Sequence, residues 1–154
     1  MLSILLLVLT VNLNTFNQTK EYSLVNVNQQ GVMLNGYDVV AYFTENKPVK
    51  GTSTYASFYQ HATYHFTSIT NKQLFDGNPD KYTPKYGGYC AVAAAFNKME
   101  EIEIDKFQIY QGHLYMNRNA KAVSVWNENP AGIVKKAEKN WPKLKKKYGK
   151  LITN

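Results

Sequence analysis

PKYGGYCAVAAAF, residues 84–96, contains the only cysteine of a 154-residue chain, Cys90. The two glycines before it allow backbone conformations and close approaches that other residues disfavour, and the run that follows is rich in alanine. A single cysteine cannot form an intramolecular disulfide or a CxxC metal motif. Because free cysteine is among the most buried residue types, we expect Cys90 to be buried. The open question is whether its thiol also serves a binding site.

Three apolar stretches around this segment have the patterns of β-strands. Residues 38–43, DVVAYF, form a β-branched and aromatic run before a polar, proline-containing turn, which predicts a buried strand. Residues 55–68 contain two alternating arms and predict a β-hairpin with Tyr64 and Phe66 on one face. Residues 107–116 predict a second hairpin, which reverses direction at its Gln-Gly pair.

Helix-start signals occupy the regions between and after these hairpins. Thr70 and Gln73 have the spacing of a capping box. Asn78 and Asn129 each precede a proline at the first helical position, and Asn119 precedes apolar residues at helical spacing. Strands followed by helices predict a small single α+β domain of short β-hairpins, short helices and a C-terminal helical segment.

The N-terminal residues have the composition of an export signal. Residues 1–19 carry no charged side chain, and the apolar run 4–11 has the length of a signal-peptide core and is too short to span a bilayer. We therefore predict a signal peptide over 1–19, an exported protein in the periplasm or outside the cell, and no stable membrane span in its mature form. The alternative is a buried N-terminal strand. Residues 20–35 are interpreted as a lead-in segment that adds an edge strand before a domain at 36–133.

The net charge of +7 comes from the end of the chain. Residues 1–133 contain equal numbers of basic and acidic residues, whereas residues 134–154 contain eight lysines and one glutamate. The apolar residues of that segment share one helical face, which predicts a basic helix packed on the domain with its lysines in solvent. A membrane-surface or nucleic-acid patch is the alternative. Because the segment has no arginine, we expect no specific phosphate recognition and no nucleic-acid partner.

Groups able to bind a ligand are few. The chain has no GxSxG, P-loop, GxGxxG or HExxH motif. Cys90 could join a histidine in a copper or zinc site, because thiolate and imidazole donors suit these ions. The candidates are His61, His65 and His113, and we expect His113, which follows a hairpin turn, to be exposed. A nucleophilic cysteine needs an oriented imidazole beside it, which the sequence does not show, so an enzyme is the least favoured hypothesis.

Several strings in order resemble a known family. GYDVVAYF, TYHFTS, FDGNPDKY, YGGYCA, GHLYMN and AEKNWP, between Gly36 and Pro142, are similar to the exported branch of the YHS-domain proteins. The resemblance implies a domain related to metal-binding modules of copper-transporting ATPases and multicomponent monooxygenases. It also places the cysteine ligands of the wider family near Ala41, Thr67 and Asn71, none of which supplies a thiolate. A metal site in this chain would have to be built differently.

These observations lead to two hypotheses of function. The first is a non-enzymatic exported binding domain for a transition metal ion, copper or zinc, or for a small cofactor. Its predicted metal ligands are Cys90, His65 and Asp38, and its predicted cofactor contacts are Tyr37 and Tyr89. The second is a structural or protein-interaction module in which the same residues form the core and no small ligand binds.

Overall fold

A computed structural model describes residues 22–150, and the predicted signal peptide lies outside these residues. The chain forms a small α+β domain, as the sequence predicts. Its strands are β1 Tyr22–Ser23, β2 Thr52–Tyr59, β3 Ala62–Phe66, β4 Phe107–Tyr110, β5 His113–Met116 and β6 Gly149–Lys150. Its α-helices are α1 Ala41–Thr44, α2 Ile69–Gly77, α3 Pro79–Tyr82, α4 Ala91–Ala95, α5 Ala120–Glu128 and α6 Pro130–Tyr148, and 3-10 turns cover Leu34–Gly36 and Lys85–Gly88.

The first predicted hairpin is confirmed. Strands β2 and β3 pair antiparallel, and they reverse at Gln60 and His61. Both turn residues have positive φ, 45° and 66°, which gives the backbone the twist that a two-residue hairpin turn requires. Tyr64 and Phe66 are buried on one face, as the alternation predicts.

The second hairpin is also confirmed. Strands β4 and β5 pair antiparallel from Phe107 opposite Met116 to Tyr110 opposite His113. The turn consists of Gln111 and Gly112, again with positive φ at both positions. A third pair joins β1 and β6 in parallel, so the first and last described segments are neighbours.

The predicted strand over residues 38–43 is wrong. Val39 and Val40 lie in a turn that leads into α1. The cause is Asp38, because its Oδ1 accepts hydrogen bonds from the backbone amides of Val40 (2.9 Å) and Ala41 (3.3 Å) and so bends the chain. Val39 and Val40 are buried all the same, and this explains why their composition resembled that of a core strand.

Asparagine caps begin three helices as predicted. The side-chain oxygens of Asn78, Asn119 and Asn129 accept backbone N–H groups at the starts of α3, α5 and α6. The Thr70–Gln73 capping box is wrong, since α2 begins two residues earlier and Oγ of Ser68 accepts the amide of Asn71.

The core consists of two clusters. One is formed by aromatic residues of β3 and α2 together with the segment before α1, and it includes Met33 and Leu34. The predicted lead-in segment 20–35 therefore supplies core residues as well as strand β1. The other cluster joins α4, α5, α6 and β5. Here α4 packs on α6, where Ala137 is fully buried.

The basic C-terminal helix is longer than predicted. It begins at Pro130 rather than at residue 134 and ends at Tyr148. Ala137 and Leu144 are buried on its inner face, while its lysines are exposed. Among residues 22–150, no helix is both long enough and apolar enough to cross a bilayer.

Candidate ligand-binding site

The fully buried Asp38 carboxylate is already occupied by hydrogen bonds within the chain. Its Oδ2 accepts from the Thr67 amide (2.8 Å), from Thr67 Oγ1 (2.9 Å) and from Asn71 Nδ2 (2.7 Å). Its Oδ1 accepts the amides of Val40 and Ala41. Five donors satisfy the two oxygens, so Asp38 connects the turn before α1 to the end of β3 and to α2.

The three positions at which the family resemblance places cysteine ligands converge on this carboxylate. Ala41, Thr67 and Asn71 all donate to Asp38. Where the resemblance would place cysteine thiolates, this chain has one carboxylate, surrounded by backbone N–H, hydroxyl and side-chain amide donors. The arrangement binds negative charge through N–H and O–H groups, and it has no soft donor for copper or zinc.

His65 and Tyr37 lie near the beginning of β2. A Cβ atom added at Gly36 would lie 3.1 Å from Nδ1 of His65, so this imidazole packs against the glycine backbone. Burial, followed by the charge of Lys50, lowers the pKa of His65. The Lys50 ammonium also lies 4.8 Å from the centre of the Tyr37 ring. The cation near both residues makes this location unfavourable for binding a metal ion.

Cys90 is buried, as predicted, and it acts as the N-cap of α4. Its Sγ accepts a hydrogen bond from the backbone amide of Ala93 at 3.4 Å. The thiol donates to Oδ1 of Asn117 at 3.9 Å. Burial raises the pKa of Cys90, so the protonated thiol is favoured. These contacts give the sulfur a structural role at the start of the helix.

The structure does not bring Cys90, His65 and Asp38 together. Within residues 22–150 there is no group of three or more His, Cys, Asp or Glu side chains that could hold a metal ion. Asp38 is occupied by Thr67 and Asn71, and Cys90 caps α4. The predicted cofactor contact Tyr89 is buried, and its hydroxyl donates to the carbonyl of Ser23 at 3.0 Å.

A different set of residues lines a polar cavity of about 340 Å³. The cavity lies between the Lys85–Gly88 turn, the beginning of β5 and the middle of α6. Its lining includes positively and negatively charged side chains and two large aromatic rings. These belong to Asp80, Lys85, Tyr86, His113, Glu138 and Trp141. Its volume falls within the range of small-molecule sites, which begins near 300 Å³.

His113 is half-buried at this cavity, so the prediction that it is exposed is wrong. Its Nδ1 is buried and has no hydrogen-bond partner among the described residues. Burial lowers its pKa, the Lys85 charge lowers it further, and Glu138 acts in the opposite direction. A neutral imidazole is therefore favoured at this lining position, with its Nδ1 buried in the protein and unpartnered.

The YGG sequence shapes the adjoining wall. Tyr86 and Gly87 both have left-handed backbone conformations, with φ of 54° and 62°. The Tyr86 hydroxyl is within 3.4 Å of both the Val134 carbonyl and Glu138 Oε1, and its ring centre lies 5.9 Å from that of Trp141. Burial and the nearby Glu138 charge raise the pKa of Tyr86, which keeps the phenol protonated.

Sequence reasoning missed this cavity because its residues are far apart in the chain. One signal was available. Glu138 is the single acidic residue of the basic segment 134–154, and an isolated carboxylate among lysines can indicate a specific contact rather than a solvated surface. In the structure that contact is with Tyr86.

A scan of protein-family models, a search of curated proteins and a search of solved structures gave no significant match to this chain. The resemblance to YHS-domain proteins stays a prediction, and any proposal of function rests on the geometry of the site.

Proposed function

We propose that this protein is a non-enzymatic module that binds a small molecule carrying both a cationic and an anionic group. The observation that carries the proposal is the polar cavity, whose lining combines Lys85 and the imidazole of His113 with the carboxylates of Asp80 and Glu138. A ligand with both charges would be complementary to this lining.

The aromatic residues support a cationic group on the ligand. Tyr86 and Trp141 lie at the cavity, and an ammonium group over an indole or phenol face is attracted by the ring. Glu138 adds a full negative charge beside them. The anionic group of the ligand would pair with Lys85.

The state of Cys90 supports a binding role over a catalytic one. Its thiol pKa is raised by burial, whereas a nucleophilic cysteine requires a lowered pKa or an adjacent base. Cys90 is also absent from the lining of the polar cavity.

Two-dimensional NMR of the tryptophan side chains tests the proposal. The chain has two tryptophans, so its spectrum contains two indole N–H signals, and Trp141→Phe assigns them. Trp126 is buried in the second core cluster and is the internal reference. We expect glycine and larger zwitterionic amino acids to shift the Trp141 signal at lower concentrations than acetate or methylammonium, which each carry one of the two charges.

Variants that each remove one charge test which side chains contribute to ligand binding. Lys85→Gln and Glu138→Gln should each weaken the zwitterion-induced shift by about threefold or more, since each removes one ion pair with the ligand. Lys139→Gln changes a neighbouring exposed lysine on α6 and should leave the shift unchanged. Equal responses to zwitterionic and singly charged probes, or no response of Trp141 to any probe, would reject the proposal.

We further propose that the protein is exported, on the basis of the charge-free segment 1–19. Cell fractionation with N-terminal sequencing of the recovered protein tests this. Recovery of the intact chain from the cytoplasm would contradict it.

One observation favours the second candidate function, a protein-interaction module. Phe58 on β2 is 74% exposed, and aromatic residues are enriched at protein–protein interfaces. Sedimentation velocity of the wild type and of Phe58→Ser tests the simplest case, self-association. Association in the wild type that is lost in the variant supports this function, and a monomer in both cases argues against it.

A further inference from the structure

A second cleft, of about 310 Å³, lies between α4 and α5 and shares no lining residue with the polar cavity. Its walls are apolar, with side chains of Val92, Phe96, Ala122 and Val125. Phe96 at its edge is 57% exposed. The Lys136 ammonium lies 5.8 Å from the centre of the Phe96 ring. The exposed part of this ring beside an apolar cleft is a surface that a ligand with an apolar body can cover.

The rim of the cleft is basic. Lys98, Arg118 and Lys121 line it together with one carboxylate, Glu100. Arg118 and Glu100 are paired at 3.3 Å. Lys98 and Lys121 form no ion pair with any described residue. The rim therefore carries excess positive charge that no other residue within 22–150 neutralises.

Lys121 is also placed unfavourably in its own helix. It lies in the first turn of α5, and that turn contains no acidic residue. The helix dipole makes this end positive, so a cation here is disfavoured and an anion is favoured. Local charges that conflict with the rest of the fold are expected mainly at functional sites.

We infer that this cleft binds a small amphipathic anion, a molecule with an apolar body and one carboxylate-type or phosphate-type head. The body would cover Phe96 and the apolar walls, and the head would pair with Lys98 and Lys121. The size is suitable, because a closed apolar cavity of about 150 Å³ already holds benzene. A medium-chain carboxylate such as octanoate fits this description, and we assign the site to a free amphiphile rather than to a lipid bilayer.

Cys90 provides a reporter for this site. It lines the cleft, is 1% exposed and is the only thiol in the chain. A ligand that fills the cleft should slow modification of Cys90 by a thiol reagent. A ligand in the polar cavity would not cover Cys90 directly, because Cys90 does not line that cavity.

Titration calorimetry of the full chain with octanoate, together with the rate of Cys90 modification by dithiobis-nitrobenzoate, tests the inference. We expect saturable octanoate binding that slows Cys90 modification, and weaker binding of octanol, which lacks the charge. The double variant K98Q/K121Q should weaken octanoate binding about threefold to tenfold and leave octanol binding unchanged.

The double variant K139Q/K143Q removes the same charge from exposed positions on α6 and is the matched control. It should bind octanoate like the wild type. Equal weakening in both double variants would show nonspecific attraction and overturn the inference, as would equal binding of octanoate and octanol. Binding to phosphatidylglycerol vesicles without binding of octanoate would also overturn it, because the source of the anion would then be a membrane surface.

Discussion

The Asp38 carboxylate accepts a 2.7 Å hydrogen bond from the side-chain amide of Asn71, which lies thirty-three residues later in the chain. The bond connects the turn before α1 to α2, and its Asp38 end is fully buried. We expect Asp38→Asn to lower the free energy of unfolding by about 2–3 kcal/mol, because an amide replaces one acceptor oxygen with a donor that faces other donors. Urea denaturation followed by circular dichroism measures the change. Asp105→Asn, at an exposed position, is the control, and an equal loss in both variants would contradict a special role for Asp38.

The buried thiol should make the protein less stable in alkali. In the unfolded chain Cys90 titrates near pH 9, whereas in the folded protein burial raises its pKa. The unfolded state therefore releases a proton that the folded state keeps, and the free energy of unfolding should fall as the pH rises above about 9. Cys90→Ala should show a shallower fall, although its loss of the helix cap lowers stability at every pH. Denaturant midpoints across this range measure both slopes, and equal slopes would show that the folded thiol titrates normally.

Gly87 is expected to tolerate no side chain. It has φ of +62°, and a Cβ atom there would lie 2.6 Å from the Leu24 carbonyl oxygen and 3.4 Å from Trp141. Gly112 has φ of +75° with nothing within 4 Å of such an atom. Gly112→Ala should cost about 1–2 kcal/mol from backbone strain alone. Gly87→Ala should cost more, since it adds a steric overlap, and thermal unfolding compares the two. Equal losses would show that Leu24 moves aside freely.

The polar cavity should control the titration of His113. Its pKa is lowered from 6.5 by burial and by Lys85, and raised by Glu138, and Asp80 is the other charged group of the lining. We expect the His113 C2–H signal to titrate below pH 6.5. Lys85→Gln should move the titration upward, and Glu138→Gln should move it downward. NMR with His113→Gln for assignment tests this, and shifts of the opposite sign would place these charges elsewhere.

The lowered pKa of His113 also makes the free energy of unfolding depend on pH. Because the folded pKa of His113 is depressed, its contribution to stability is present above pH 6.5 and is lost as the pH falls from 6.5 through the lower folded pKa. His65 acts in the same direction. Both histidines should therefore favour unfolding in mild acid.

Local patterns predicted those elements whose causes are local. The alternation at Tyr64 and Phe66 and the cap at Asn119 each depend on residues only a few positions away, so the sequence contained what was needed. Residues 38–43 were interpreted wrongly although one cause is local, since Oδ1 of Asp38 accepts the amides of Val40 and Ala41 and bends the chain. The partners of the other oxygen, Thr67 and Asn71, lie about thirty residues later.

The candidate site was less accessible to sequence reasoning. Lys85, His113 and Glu138 meet only after the Lys85–Gly88 turn, β5 and α6 have packed together. The importance of YGGYC was predictable, but Cys90 was given the binding role. In the structure Tyr86 and Gly87 of the same motif form part of the cavity wall, while Cys90 caps a helix.

The pairing of β1 with β6 joins the two ends of the described chain. Ser23 lies opposite Lys150, and its carbonyl also receives the Tyr89 hydroxyl. If β6 separates, β1 loses its ladder partner, and the Tyr89 contact loses its support. Fraying at one end should therefore be transmitted to the other and then to the motif that contains Cys90.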